Sequence, residues 1–415
     1  MDVGDWIKRL SQPKLRSALF VIMLLVLVGA VYRFNRLDEF SYNETGGTSY
    51  IRYEKARVVE ITDEQLEKDP KISGLYHGTQ QLTLRLLSGE HKGETVSVTN
   101  YLSTMYNVHA KPGMKLIVDV DSANQDRYTV TVYSYYRAPL LYGMVGIFLA
   151  FLWAIGGKKG LKSAAGLVLT FASIVFLFIP MLYRGYSPML AAILVVTITI
   201  VFTLLLLDGW SSKSISAILG TMIGVVLAGV QASLAGEMLH ISGFNTPDSE
   251  TLILIADNTG MSVGGLLFAG ILLAALGAIM DVGITVASAV YEVYKTNREL
   301  GWRSLFLAGM NVGRDMMGTM ATTLILAFTG SSLMSLIVLY AYKVPFTQLV
   351  NMNMVTIEVL QGITGSIGVI LTVPIVALVS ARFMPYYDRL RQAQQLQTGA
   401  SVDKQNVQEQ EHSIA

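Results

Sequence analysis

The chain has 415 residues, of which 52% are hydrophobic and 15% charged; soluble domains carry roughly 25% charged residues, so composition makes most of this chain a solute of lipid. A formal net charge of +1 gives no electrostatic footing for nucleic acid or for a strongly acidic partner. The absence of cysteine excludes disulfides, thiol catalysis and cysteine-based zinc sites.

Residues 1–16 are a basic head with Lys8, Arg9, Lys14 and Arg16. Residues 17–34 are the first apolar run, close to the 20 or so helical residues that cross a bilayer. A cleavable signal peptide ending at Val28-Gly29-Ala30 is the alternative. The run continues through Val31 and Tyr32, which suits an anchor better. Either way the next segment is exported.

Residues 35–137 read as a β-rich extracytoplasmic domain. Apolar and polar residues alternate at Lys55–Thr62, Gln81–Leu87, Glu94–Thr99, Met114–Val120 and Tyr128–Tyr133, the period of half-buried strands. Turns fall at residues 89–93 and at Lys111-Pro112-Gly113,. Five short strands predict a small barrel, OB-like, with a sandwich as the alternative.

Residues 138–391 read as seven further spans, at 139–155, 164–183, 188–207, 214–236, 262–281, 316–342 and 354–381. The expected fold is therefore an α-helical polytopic membrane protein of about eight transmembrane helices, with a small all-β domain between the first and second. Loop charges orient it. Sixteen lysines and arginines fall on one side, and the short loops of the other side hold only Arg184 and Lys343. That asymmetry puts both termini in the cytoplasm and residues 35–137 outside the cell membrane. Tyr135, Tyr136, Trp153, Trp210, Tyr386 and Tyr387 fall at span ends, as an interfacial belt would. Residues 392–415 are polar and predict a disordered cytoplasmic tail.

Several polar groups interrupt the apolar runs, and such groups are functional candidates by default. Asp281 begins a stripe with Thr285 and Ser288 at helical spacing, continued by Glu292,. Asn311, Arg314, Asp315 and Thr319 open the seventh span, and Arg314 is a candidate partner for Asp281. Gly330-Ser331-Ser332 is a candidate break in that span. Glu358 and Gln361 lie in the eighth, ahead of Pro374, which predicts a kink. The bland readings are interfacial acids and a boundary arginine. Gly220 and Gly224 have the spacing of a helix-packing motif. The segment from Glu237 to Gly260 is acidic without a lysine or arginine and reads as an outer loop. No phosphate loop or HExxH pattern is present,. The five histidines are scattered, so no metal ligand set and no cofactor is assigned.

Three segments carry a resemblance: GAIMDVGITVAS at Gly277–Ser288, GRDMMGTMATTLILAFTGSSL at Gly313–Leu333, and IEVLQGITGSIGVILTVP at Ile357–Pro374. With the exported β domain, they resemble the YibE/F-like family of bacterial multi-pass membrane proteins, in its larger, ectodomain-bearing type. The resemblance covers about 140–385. It implies a shorter homologous membrane protein, lacking the β domain, as a partner; a homo-oligomer is the other option. It also adds weight to Asp281, Arg314, Asp315 and Glu358, and it supplies no reaction.

The leading expectation is a secondary transporter or exporter of a small solute or ion. Its polar path is lined by Asp281, Arg314 and Glu358, with Glu358 nearer the outside. The alternative is a non-transport envelope assembly or scaffold factor acting through the β domain. An enzyme ranks third, because no nucleophile arrangement is present.

Overall fold

The computed structural model describes residues 13–36, 50–124, 127–245 and 249–414. Lys8 and Arg9 of the basic head, and Asp248 of the acidic segment, lie outside the described residues. The chain divides into two compact units, Ser41–Ile155 and the remainder.

The first unit is built on five strands: β1 (Ile51–Lys68), β2 (Tyr76–Leu86), β3 (Thr95–Leu102), β4 (Lys115–Asn124) and β5 (Arg127–Tyr135). Their order is β3-β2-β1-β4-β5, every pair antiparallel. β3 also approaches β5, which curls the sheet into a half-barrel. Alternate residues face one core: Ala56, Val58, Leu82, Leu84, Leu86, Leu116 and Val118 are almost fully buried. β1 is longer than its alternating stretch. Its second half, from Thr62, is exposed and polar, pairs only with β2 and follows two register shifts. With neither face covered, it carries no hydrophobic period to read.

Gln80 is fully buried and bonds both backbone groups of Ala110, at 3.0 and 3.1 Å. Asn100 donates to Gln80 Oε1 and to the Val108 carbonyl. These amides replace a missing strand partner for the 107–110 segment, since buried backbone groups need partners.

The helices are α1 (Pro13–Arg36), α2 (Ala138–Ser173), α3 (Ile179–Tyr183), α4 (Pro188–Asp208), α5 (Ser212–Met238), α6 (Ser249–Thr259), α7 (Leu266–Thr296), α8 (Trp302–Ser331), α9 (Leu333–Ala341), α10 (Phe346–Asn351) and α11 (Asn353–Ile414). A π turn, Ile174–Phe178, joins α2 to α3.

Among the described residues, six helices are long and apolar enough to cross a membrane, or seven when the bent pair α8–α9 counts as one. The sequence reading counts eight. The difference lies in Ala138–Tyr183, a single run of 46 residues read above as two. At about 1.5 Å per residue it is roughly 70 Å long, more than twice the ~30 Å hydrocarbon core. It breaks once, at Gly157, whose φ of 54° and ψ of −134° are not helical and suit glycine. Residues 237–260 are not a plain loop either. α6 packs Leu252, Ile255 and Ala256 against the helical core. After Gln392 the backbone of α11 stays helical to Ile414, where composition predicts disorder.

α11 is the hub, packed against α5, α7 and α8. Small residues let these axes approach. A Cβ at Gly220 would come within 2.7 Å of Val376 Cγ2, one at Gly309 within 2.7 Å of Val290 Cγ2, and one at Gly368 within 2.8 Å of Ala228 Cβ. At Gly224, Gly283 and Gly313 it would collide with Thr372, Thr221 and Val373. In lipid, where apolar burial drives little, such close packing supplies much of the association energy. α1 docks by polar contacts. Asn35 donates to the Phe176 carbonyl in the π turn at 2.7 Å. Arg184 donates to the Phe34 carbonyl and lies 3.7 Å from the Phe34 ring centre.

Candidate functional site

Ser332 ends α8, and α9 leaves at 60° to it. The break falls at Gly330-Ser331-Ser332, where two hydroxyls join the Ser332 amide on one carbonyl. Ser331 and Ser332 both donate to the Phe328 carbonyl, at 2.7 and 3.2 Å. Between the bent pair and the start of α11 lies a cavity of about 350 Å³, a volume suited to a small ligand.

Three helices line this cavity. α8 and its break contribute Ile325, Phe328, Thr329 and Ser332. α9 contributes Ser335, Leu336 and Leu339, and α11 contributes Met354, Val355, Glu358, Val359, Gly362 and Ile363. Glu358 is the one ionisable lining residue. Its Oε2 is buried and has no hydrogen-bond partner. Buried polar atoms ordinarily have partners, so this oxygen stands out in its apolar setting. Thr329 and Ser332 donate to backbone carbonyls, which leaves their oxygens able to accept. The pocket therefore offers one acid and several oxygen acceptors in an apolar wall.

The other candidates do not join it. Asp281 sits at the midpoint of α7, and the helix runs on past it to Thr296. It is not the end of a helix. Its side chain is exposed, away from buried Val282, Gly283 and Val286. Thr285 donates to the Asp281 carbonyl at 2.8 Å and Ser288 to the Ile284 carbonyl at 2.7 Å. The expected Arg314–Asp281 pair does not form: among the described residues no ion pair involves either. Asn311, Arg314, Asp315, Thr319 and Thr322 are exposed on α8. That face leads along α8 to Thr329 at the cavity. Gln361 is half-buried and outside the cavity lining. Gly220 and Gly224 pack against α11 and do not line this cavity.

Thr329 and Ser335 escape sequence reasoning. They flank the Gly330–Ser332 break on either side, and with the 60° bend both line the same cavity as Glu358. Among the described residues no group of three or more His, Asp or Glu could hold a metal ion.

Comparison with known proteins adds two matches. Residues 144–386 match the model of the YibE/F-like protein family, and residues 49–135 match that of the YibE/F family N-terminal domain. A search of curated proteins found no match, nor did a search of solved structures. The first match takes in every helix that builds the cavity and the second takes in the half-barrel, and on that basis the chain belongs to the YibE/F-like family.

Proposed function

We propose that the protein is a secondary transporter that moves a small cation, or exchanges protons for a small solute, by way of Glu358. The unpartnered Oε2 of Glu358 in the cavity at the α8–α9 bend carries this reading. Broken helices that meet near mid-membrane are the usual way to build an ion site in an apolar medium. No ATP-binding motif is present in the sequence, so an ion gradient is the simplest energy source.

In this reading the membrane is crossed eight times, with Gly157 turning Ala138–Tyr183 into two crossings. Both termini are cytoplasmic, and the half-barrel is extracytoplasmic. The exposed polar face of α8 and the exposed Asp281 form the rest of the path. A lipid-facing Arg314 is costly, so a neighbouring protein covers this face. A second copy or the shorter homologue would serve.

Proteoliposome flux tests the reading. We expect wild-type vesicles to dissipate an imposed proton or cation gradient, and Glu358→Gln to lower that flux at least about tenfold, as loss of a single essential carboxylate does. Asp281→Asn is expected to reduce flux with insertion intact. Wild-type vesicles as tight as protein-free ones, over a panel of proton, alkali, divalent and organic cations, would transfer the function to the half-barrel as an envelope assembly or scaffold factor.

A further inference from the structure

On the outer surface of the half-barrel, three basic side chains stand in one cross-strand row. Arg85 of β2 is in register with Arg57 of β1, and Arg57 is in register with Lys115 of β4. All three are exposed. Like charges directly opposite one another destabilise a sheet, so the row is retained at a cost to the fold. Arg57 and Arg85, with Lys92, Gly93 and Gly113, also line a concavity of about 390 Å³.

The neighbouring acids do not neutralise this row. Glu90 is paired with Arg52. Glu94 accepts from Tyr128 and from His91. Glu54 points into the core. Glu60, further along β1, forms no ion pair with either arginine, and among the described residues Arg57, Arg85, Lys92 and Lys115 have no ion-pair partner.

The position of the row is also informative. The Lys115 carbonyl accepts from the Tyr136 amide at 3.3 Å. Tyr136 is followed closely by Ala138, the first residue of the apolar helix α2. Lys55 lies 5.1 Å from the Tyr136 ring centre, and Arg137 follows. The row thus ends where the chain passes from the half-barrel into an apolar helix, the height of phospholipid headgroups.

We infer that Arg57, Arg85, Lys92 and Lys115 form a binding site for a phosphate group, borne on an anionic phospholipid or free in solution. Arginine forks bind phosphate oxygens bidentately, and basic side chains at a membrane surface add attraction for anionic lipid one by one. Bound phosphate would remove the like-charge opposition in the row. This site is independent of Glu358 and of the transport reading.

The test uses the full chain in nanodiscs. In the lipid arm the discs mix phosphatidylcholine with phosphatidylglycerol, and the phosphatidylglycerol retained per chain is counted by native mass spectrometry. In the soluble arm the discs are phosphatidylcholine alone, and inorganic phosphate is titrated calorimetrically. We expect wild type to bind in at least one arm, and Arg57→Gln with Arg85→Gln to weaken that binding about 30-fold, the loss of two surface-scale basic contacts. Binding in the lipid arm alone identifies the headgroup; binding in the soluble arm alone identifies a dissolved phosphate. Equal binding by wild type and the double variant in both arms, or none by either, overturns the site. Thermal unfolding without phosphate is the control for folding. The double variant should melt at the wild-type temperature or above it, because a repulsion has been removed. A lower midpoint would make the arginines structural and also overturn the proposal.

Discussion

Glu54 and Glu358 each bury a carboxylate oxygen without a hydrogen-bond partner, in different solvents. Glu358 lines the cavity at the α8–α9 bend. Glu54 is packed under the 88–93 turn, where Gly89 takes a φ of 82° and a Cβ would collide with the Glu54 carboxylate. Gly89→Ala is therefore expected to destabilise the half-barrel by about 1–3 kcal/mol, from backbone strain and collision together, read as a lower melting midpoint. Protonation adds a second residue-scale prediction. A hydrogen bond from Tyr128, then one from His91, holds the Glu94 carboxyl below its usual value. The backbone amides of Lys71 and Ile72 do the same for Asp69. Depressed carboxyls stabilise the fold above their unfolded values, and that contribution is lost as pH falls through the folded ones. Tyr128 is pushed up to about 12, chiefly by its bond to Glu94. Its contribution is complete below about pH 10 and lost as pH rises toward 12. The half-barrel should thus weaken at both extremes. A spectrophotometric titration of wild type minus Tyr128→Phe should show one tyrosine ionising about two units late; a difference curve centred near 10 would refute the assignment.

At the scale of elements, close glycine contacts set how α11 meets its neighbours. Gly313→Val should overpack against Val373 and cost about 1–3 kcal/mol, seen as a lower unfolding temperature in detergent. Gly318→Ala, where an added Cβ meets nothing within 4 Å, should leave that temperature within error. How much of this is legible in the sequence depends on what encodes each element. An apolar run has to be long and nearly uncharged to cross lipid, so α4, α5 and α7 stand out directly. The α8 break is legible too, because Gly330-Ser331-Ser332 interrupts an apolar run with a glycine and two short polar residues. The number of crossings in Ala138–Tyr183 is harder, since one glycine torsion decides it. The half-barrel core is legible through its period of two, whereas the polar end of β1 is not. The acids are visible as letters, but Asp281 and Glu358 read alike. Only the packing shows that one lies on an exposed face and the other in a cavity with Thr329 and Ser335 brought around it.

For the whole molecule, the exposed polar face of α8 bears on assembly. The Gly309–Val290 contact sets the register of α7 and α8, which puts Asp281 within about one helical turn of Arg314 and Asp315 in height. If a second copy covers this face, Gly318→Cys should cross-link to twice the chain's mass in native membranes. The absence of other cysteines makes that band unambiguous. A smaller adduct would identify the shorter homologue, and an unlinked chain would leave the face to the aqueous path. The docking of α1 has a consequence for biosynthesis. Asn35 meets a carbonyl 141 residues later in the chain, and Phe34 is met by Arg184 at a separation of 150. At about 5–20 residues per second, translation takes roughly 7–30 s to produce those partners. α1 is thus fastened only after the chain has grown past the π turn and Arg184, and until then its polar end is open to whatever chaperone or insertase holds it.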